Sequence, residues 1–340
     1  MRVLLVVPSL DVPKFKGLAK VSKILADELP KYGIETEVLE VHKNGKRYLS
    51  NLTSVPLREL FSKADIIHST VPESGTFLPF MFWKKSVITF HDFIPFEMGE
   101  RLKFRLKFLV DFYSKFMWGL ASKNKVVVAV STQTAKDFER YFGKKPLVVN
   151  PGVDEKFKPM KVEKEKITLG FFANFSYRKG VDKAVEVFRL VKRKIDCKLV
   201  LAGGYLQTVY QRQFDINELV KGLKDVEVLG YVPDEKVVEL YNSFDFFLFP
   251  SIYEGFGLPI LEAQKCGIPT LIFSWAKIAE EVKKKAIECS SVEEMANRII
   301  NLVENKEEYK KISKEGIEYA SKFTWENFVK SYINIYRSLL

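Results

Sequence analysis

In the segment SIYEGFGLPILEAQKCGIP, residues 251–269, two glutamates, Glu254 and Glu262, stand with seven residues between them. They follow an almost unbroken apolar run, FDFFLFP, and share their neighbourhood with Gly255, Gly257 and Pro259. That pattern describes a buried strand turning into a helix. Pro259 suits a first helical turn, where its missing N–H has no intrahelical role. The glycines allow a backbone approach that a Cβ would block. The first N–H groups and the dipole of such a helix favour an anion or polar oxygens. Paired carboxylates also serve glycosidases, at separations of about 5–9.5 Å. That chemistry needs no anion cradle, and this segment supplies one. The plain alternative is that both glutamates are solvated loop and helix charges.

Other residues could join this chemistry. Lys179, in RKGVDKAVEVF, stands in a loop entering a helix, next to Arg178. A fixed cation there suits the charge that develops on a departing phosphate, although a loop lysine is often merely solvated. His91 ends the apolar run SVITF and precedes Asp92, and His68 ends ADIIHS. A histidine at a strand end is either a structural core residue or a functional one. Asp-x-Asp is absent, and Cys197, Cys266 and Cys289 share no metal-like spacing. The cysteines read as buried thiols in a reducing compartment, and no metal site is expected. The lack of G-x-G-x-x-G after a strand counts against a dinucleotide dehydrogenase.

The elements that must position these residues recur along the chain. RVLLVVP, ADIIHS, SVITFHD, KVVVAVS and PLVVNPGVD in the first half, then KITLGFFAN, CKLVLAGG, VEVLGYV, FDFFLFPS and IPTLIFS, alternate with helical patterns. Near-continuous Val/Ile/Leu strands separated by helices predict parallel sheets covered on both faces. Helical stripes include Leu18, Val21, Leu25 and Leu29, then Val181, Ala184, Val185, Phe188, Val191 and Ile195. At 340 residues the chain is long for one core, so two domains are the default. The Pro/Gly/Lys stretch at 150–160 is the linker. The expected domains are therefore 1–155 and 156–322, with a closing helix over 323–340 bearing Phe328, Tyr332, Ile335 and Leu339. In open α/β sheets ligands lie beyond the carboxyl ends of strands, which is where the candidates fall.

The net charge of +11 is uneven: residues 1–150 carry 24 Lys+Arg against 15 Asp+Glu. A basic first half suggests an anionic partner there, or simply a solvated surface. RLKFRLKFLVDFYSKFMWGLASKNK, residues 101–125, sets Arg101, Lys103, Arg105 and Lys107 beside an apolar stripe of Leu102, Leu106, Leu109, Tyr113, Phe116 and Leu120. Such a helix either lies on an anionic bilayer or packs in a core with a charged outer face. Pro8 and Asp11 interrupt the first apolar run, so it reads as a strand and not a signal peptide, and no stretch approaches the roughly 20 apolar residues of a membrane span. A soluble or peripheral protein in the cytoplasm is expected.

PSIYEGFGLPILEAQKCGIP resembles the signature of retaining, nucleotide-sugar-dependent glycosyltransferases of family four, which have the GT-B fold. KFKGLAK, ITFHD, VSTQTAKDF, NPGVDEKFKP, RKGVDKAVEVF, VLGYVPDEKVVELYNSFD and FTWENFV follow in the family's order over nearly the whole chain. The resemblance implies two Rossmann-like doubly wound domains facing a central cleft, the last helix crossing back to the first domain. It implies an acceptor-side N-terminal domain and a C-terminal domain that binds the nucleotide sugar. Glu262 is then expected on the donor's ribose and Glu254 beside the donor sugar, with Gly255, Phe256 and Gly257 presenting backbone N–H groups. Lys179 is expected on the diphosphate, His91 at the catalytic centre, and a loop ending at Gly17 near the phosphates. The family usually has an arginine five residues before that lysine; here it is Asn174, and Arg178 would supply the charge. Without compensation the loss is worth about 1.5–3 kcal/mol, the range for a hydrogen bond to a charged group.

The expected function is transfer of a sugar from a nucleoside diphosphate sugar to an acceptor hydroxyl, glycan or lipid-linked, with retention and without a metal or other cofactor. The departing phosphate would itself help to take the acceptor's proton. Alternatives are a nucleotide-sugar epimerase on the same fold, or a non-catalytic protein whose basic half binds membrane or, less in keeping with the motifs, nucleic acid. The last predicts steeply salt-dependent association.

Overall fold

The computed structural model describes residues 1–8, 10, 12–41, 54–72, 83–97, 104–205 and 213–340. The chain divides into two compact units, the first comprising residues 1–93, 104–152 and 325–340, the second residues 94–103 and 153–324.

In the first unit six parallel strands, β1 (Arg2–Val7), β2 (Glu35–Glu40), β3 (Ile66–Ser69), β4 (Lys85–Phe90), β5 (Val126–Ala129) and β6 (Leu147–Val148), lie in the order β2-β1-β3-β4-β5-β6. The middle strands are buried on both faces, hence their Val/Ile runs. At the edge, β2 reads ETEVLE with most of its residues exposed or half-buried. Apolar runs alone do not reveal it. Around the sheet lie helices α1 (Val12–Glu28), α2 (Ser54–Phe61), α3 (Phe104–Ser122) and α4 (Thr132–Phe142). Ser131 caps α4 by accepting from Thr134 N at 3.0 Å, and Gly143, left-handed at φ 66°, ends it.

Two details differ from the sequence reading. The segment expected as a loop ending at Gly17 is helical from Val12, and Gly17 sits exposed in the second turn of α1. Pro13 falls where a helix accepts it, in the first turn, so the helix starts earlier than the glycine suggests. On α3, Phe116 is 59% exposed rather than part of a buried stripe, and Trp118 and Ala121 face the core. Trp118 meets Phe90 and Phe93 edge-on at 5.6 and 5.5 Å. Arg101 and Lys103 lie outside the described residues, as do the side chains of Arg105 and Lys107.

In the second unit β7 (Ile167–Phe172), β8 (Cys197–Ala202), β9 (Val226–Gly230), β10 (Phe246–Leu248), β11 (Thr270–Phe273) and β12 (Ile287–Cys289) form a parallel sheet in the order β12-β11-β10-β7-β8-β9. The chain builds outward from β7, returns to β10 beside it, and builds outward again. The β7/β10 junction is therefore the topological switch point, where doubly wound sheets bind ligands. Helices α5 (Val181–Lys192), α6 (Leu258–Lys265), α7 (Val292–Glu304) and α8 (Lys306–Ala320) complete the unit. The predicted stripe of α5 is buried at Val181, Ala184, Val185, Phe188 and Val191. All three cysteines are buried free thiols.

The last helix, α9 (Trp325–Leu339), belongs to the first unit. Phe328, Val329, Tyr332, Ile333 and Tyr336 join Val3, Leu5, Val21 and Leu25 in one core. Full burial of each such side chain is worth about 1.5–3 kcal/mol.

Candidate active site

Two loops leave the carboxyl ends of the adjacent strands β7 and β10, and they are stitched together. The Ile252 amide donates to the Arg178 carbonyl at 3.0 Å, and Ser251 Oγ reaches the same carbonyl at 3.2 Å. On the other flank the Glu254 amide donates to the Lys277 carbonyl at 2.9 Å, and the Lys277 amide to the Ile252 carbonyl at 3.0 Å. Gly180 makes the close approach possible. It is left-handed at φ +70°, and a Cβ there would lie 2.4 Å from the Pro250 carbonyl oxygen.

Glu254 lies at the centre of this junction, 8% exposed. Its Oε1 accepts from Lys179 Nζ at 2.6 Å, from Arg178 NH1 at 3.0 Å and from Ser251 Oγ in a very short bond. Burial pushes the carboxyl up, but the charges of Lys179 and Arg178, with the hydrogen bonds from Lys179 and Ser251, outweigh it and hold Glu254 below the ordinary carboxylate range. Two cations against one carboxylate leave the cluster with a local charge of about +1, a setting for an anion. Arg178, 5% exposed, also donates to the Tyr253 carbonyl at 2.6 Å. Its Nε has no partner among the described residues. Lys179 Nζ also lies 5.2 Å from the Phe249 ring centroid.

Beyond Glu254 the chain turns into α6 through Gly257, whose φ of 111° is a conformation for glycine, with Pro259 in the first turn. Gly255 is half-buried. Phe256 is buried against Phe323, so its backbone rather than its ring is what the loop offers. Glu262, half-buried on α6, accepts from Tyr241 OH at 3.0 Å. Burial and the neighbouring Glu262 charge raise the Tyr241 phenol well above its usual range, so it stays a donor. The two carboxylates thus have different surroundings, Glu254 among cations and Glu262 beside a phenol. Asn174, just past β7, is half-buried, and its Oδ1 has no partner among the described residues.

His91 and His68 belong to the first unit. His91 Nε2 donates to the Thr70 carbonyl at 2.8 Å, which fixes the proton on Nε2 in the neutral ring. Burial lowers the imidazole to about 4 against the opposing pull of that hydrogen bond. His68 is fully buried, with Nδ1 2.6 Å from Tyr336 OH and Nε2 2.8 Å from Thr89 Oγ1. Its place is structural, tying α9 to the sheet. Ser251 and Tyr241 were not singled out from sequence. Ser251 stands within the quoted motif beside Glu254, whereas nothing local marks Tyr241.

Solved structures share this architecture across the whole chain. Sucrose-phosphate synthase from Thermosynechococcus elongatus matches with TM-score 0.78 and 16% identity, over 100% of this chain and 99% of that one. Anabaena HepE in complex with UDP-glucose matches with TM-score 0.72 and 17% identity, over 99% and 100%. These likenesses place the fold in the GT-B class. The model of "Glycosyltransferase Family 4" matches residues 26–157, and that of "Glycosyl transferases group 1" matches residues 153–319. The chain belongs to glycosyltransferase family four. O-antigen chain mannosyltransferase B of Escherichia coli is 34% identical over 116 residues, which is 34% of this chain and 30% of that protein. The matches span between 14% and 62% of the length of this and other curated relatives. Among the described residues no helix is long and apolar enough to cross a membrane.

Proposed function

We propose that the chain transfers a sugar, with retention of anomeric configuration and without a metal, from a nucleoside diphosphate sugar to the hydroxyl of a glycan or lipid-linked acceptor. The observation that carries this reading is the Lys179–Glu254–Arg178 cluster at the β7/β10 switch point, beside the first turn of α6. On this reading the diphosphate takes Lys179 and the N–H groups around Gly255–Gly257, and Glu262 holds the ribose. The charge that develops on the departing phosphate is met by a cation already in place. That phosphate oxygen accepts the acceptor's proton, so no separate base is required. His91 offers a neutral imidazole with a fixed tautomer, suited to orienting a hydroxyl and unsuited to acting as an acid near neutral pH.

The mannosyltransferase likeness makes a mannosyl donor the first sugar to try. Thermal unfolding with UDP, GDP, ADP and their sugar conjugates tests the reading. A ligand at 100 times its dissociation constant stabilises the fold by about 2.7 kcal/mol, and one base should stand out. Product analysis with that donor then separates transfer from epimerisation. No shift across the panel would remove the nucleotide-sugar assignment. The basic segment 101–125 is assigned to peripheral contact with an anionic membrane on the cytoplasmic side. Flotation with anionic liposomes that is lost when Arg101, Lys103, Arg105 and Lys107 are neutralised is the expected result, and no flotation would end that assignment.

A further inference from the structure

We propose that Arg178 is a positioning residue, whose buried guanidinium holds the Glu254 carboxylate in place when the donor's diphosphate draws Lys179 away. The inference rests on the transferase reading above, in which phosphate and Glu254 compete for the same ammonium.

Arg178 and Lys179 are neighbours in sequence but differ in place. Lys179, its side chain 11% exposed, reaches Glu254 Oε1 at 2.6 Å on a flexible stem. Arg178 is 5% exposed, and NH1 bridges the Tyr253 carbonyl at 2.6 Å and Glu254 Oε1 at 3.0 Å. A planar guanidinium donates in fixed directions, so one nitrogen can pin a main-chain and a side-chain oxygen together. The backbone of Arg178 grips the same segment, its carbonyl accepting from the Ile252 amide at 3.0 Å. The residue therefore fixes both the loop and the carboxylate it carries.

The energetics favour orientation over stability as its role. A buried ion pair is weak evidence for stability, because desolvation offsets the attraction. Here the guanidinium also keeps a buried Nε without a partner among the described residues, which costs further. Other groups face Glu254 as well. Ser251 Oγ donates from its own loop, and the 275–278 segment contributes the Lys277 carbonyl to the Glu254 amide, while the Lys277 ammonium is held by Glu97 at 2.7 Å. When Lys179 turns to phosphate, Arg178 is the cation that stays on Glu254.

The test uses the full chain with Arg178→Gln, Arg178→Lys, Glu254→Gln and the Arg178→Gln/Glu254→Gln double variant. Arg178→Gln should lower kcat about ten- to a hundredfold, the range for losing a hydrogen bond to a charged group, with nucleoside diphosphate affinity within about twofold. In the Glu254→Gln background the same change should cost less than about twofold, since coupled residues are not additive. Arg178→Lys should fall between. Additive losses, an unchanged kcat, or an affinity loss matching that of Lys179→Ala would overturn the proposal. A readout without turnover accompanies it: the ¹³C signal of the Glu254 carboxyl, assigned by its loss in Glu254→Gln, titrated with saturating nucleoside diphosphate. Its midpoint should rise in Arg178→Gln; an unmoved midpoint rejects the positioning role. Should the wild-type protein turn over no nucleotide sugar, the transferase reading falls, and the titration repeated without nucleotide still decides whether Arg178 governs Glu254. If Arg178→Gln does not fold, Arg178→Lys carries the test, and a kcat equal to wild type there is the overturning result.

Discussion

Glu254 and Glu262 carry the same side chain into opposite surroundings, and that difference sets what each substitution should do. Replacing Lys179 by alanine leaves Glu254 with Arg178 and Ser251, so the loop keeps its shape. What is lost is the ammonium carried on the flexible stem. Nucleoside diphosphate affinity should fall by about 1.5–3 kcal/mol, the value of a hydrogen bond to a charged group. Glu262→Gln still accepts from Tyr241, so the fold should hold while affinity for the nucleotide falls by about 1 kcal/mol, the net value of a typical hydrogen bond. Isothermal titration on both variants checks this, and unchanged affinity in both removes the site. The spacing of Glu254 and Glu262 was legible in the sequence because it is local; that Lys179, 75 residues away, meets Glu254 was not. The direction of the Arg178 side chain was not: residue type gives a charge, and only the packing of two loops decides whether it faces inward. Tyr241 was hidden for the same reason, since it meets Glu262 from a separate helical turn, Val237–Asn242.

At the scale of elements, glycines separate where the backbone must bend from where it need not. A Cβ on Gly180 would meet the Pro250 carbonyl oxygen at 2.4 Å, at a φ of +70°. Gly180→Ala should therefore destabilise by about 1–3 kcal/mol and loosen the nucleotide site, because it parts the two loops. Gly17 lies inside α1, with nothing within 4 Å of its Cβ position, and Gly17→Ala should stabilise by about 0.5–1 kcal/mol. Urea unfolding of the pair measures both; a stabilising Gly180→Ala or a destabilising Gly17→Ala contradicts the packing described here. The same contrast explains what could be read beforehand. Central strands announce themselves as apolar runs because both faces are covered. The edge strands β2 and β12, ETEVLE and IEC, carry charge where they meet solvent, so hydrophobicity passes over them. A glycine after a strand looks like a loop, yet Gly17 fell in a helix, since the missing side chain permits a turn and does not demand one.

Across the whole molecule the buried ionisable groups of the first unit make its stability depend on pH in a way that can be signed. Burial lowers His68 to about 3 and His91 to about 4 from an ordinary 6.5, so their contribution is complete above 6.5 and is lost as pH falls towards those values. Glu59 on α2 runs the other way. It is fully buried, and burial raises it to about 8 against the pull of Lys125, with neither oxygen hydrogen-bonded among the described residues. Its contribution is complete below the ordinary 4.5 and lost as pH rises through 8. Each proton difference gives a slope of about 1.4 kcal/mol per pH unit. From 6.5 to 8 Glu59 dominates, so the wild-type protein should lose stability as pH rises. From 5 to 6 the histidines bind two protons on unfolding against the one Glu59 releases, so stability should fall as pH drops. Glu59→Gln removes the opposing proton. Its stability should be nearly level between pH 7 and 8, where the wild type declines, and steeper than wild type between 5 and 6. Urea midpoints across that range measure the difference. Parallel curves for the two proteins would mean that Glu59 holds no proton in the folded chain, and that its carboxylate has found a cation.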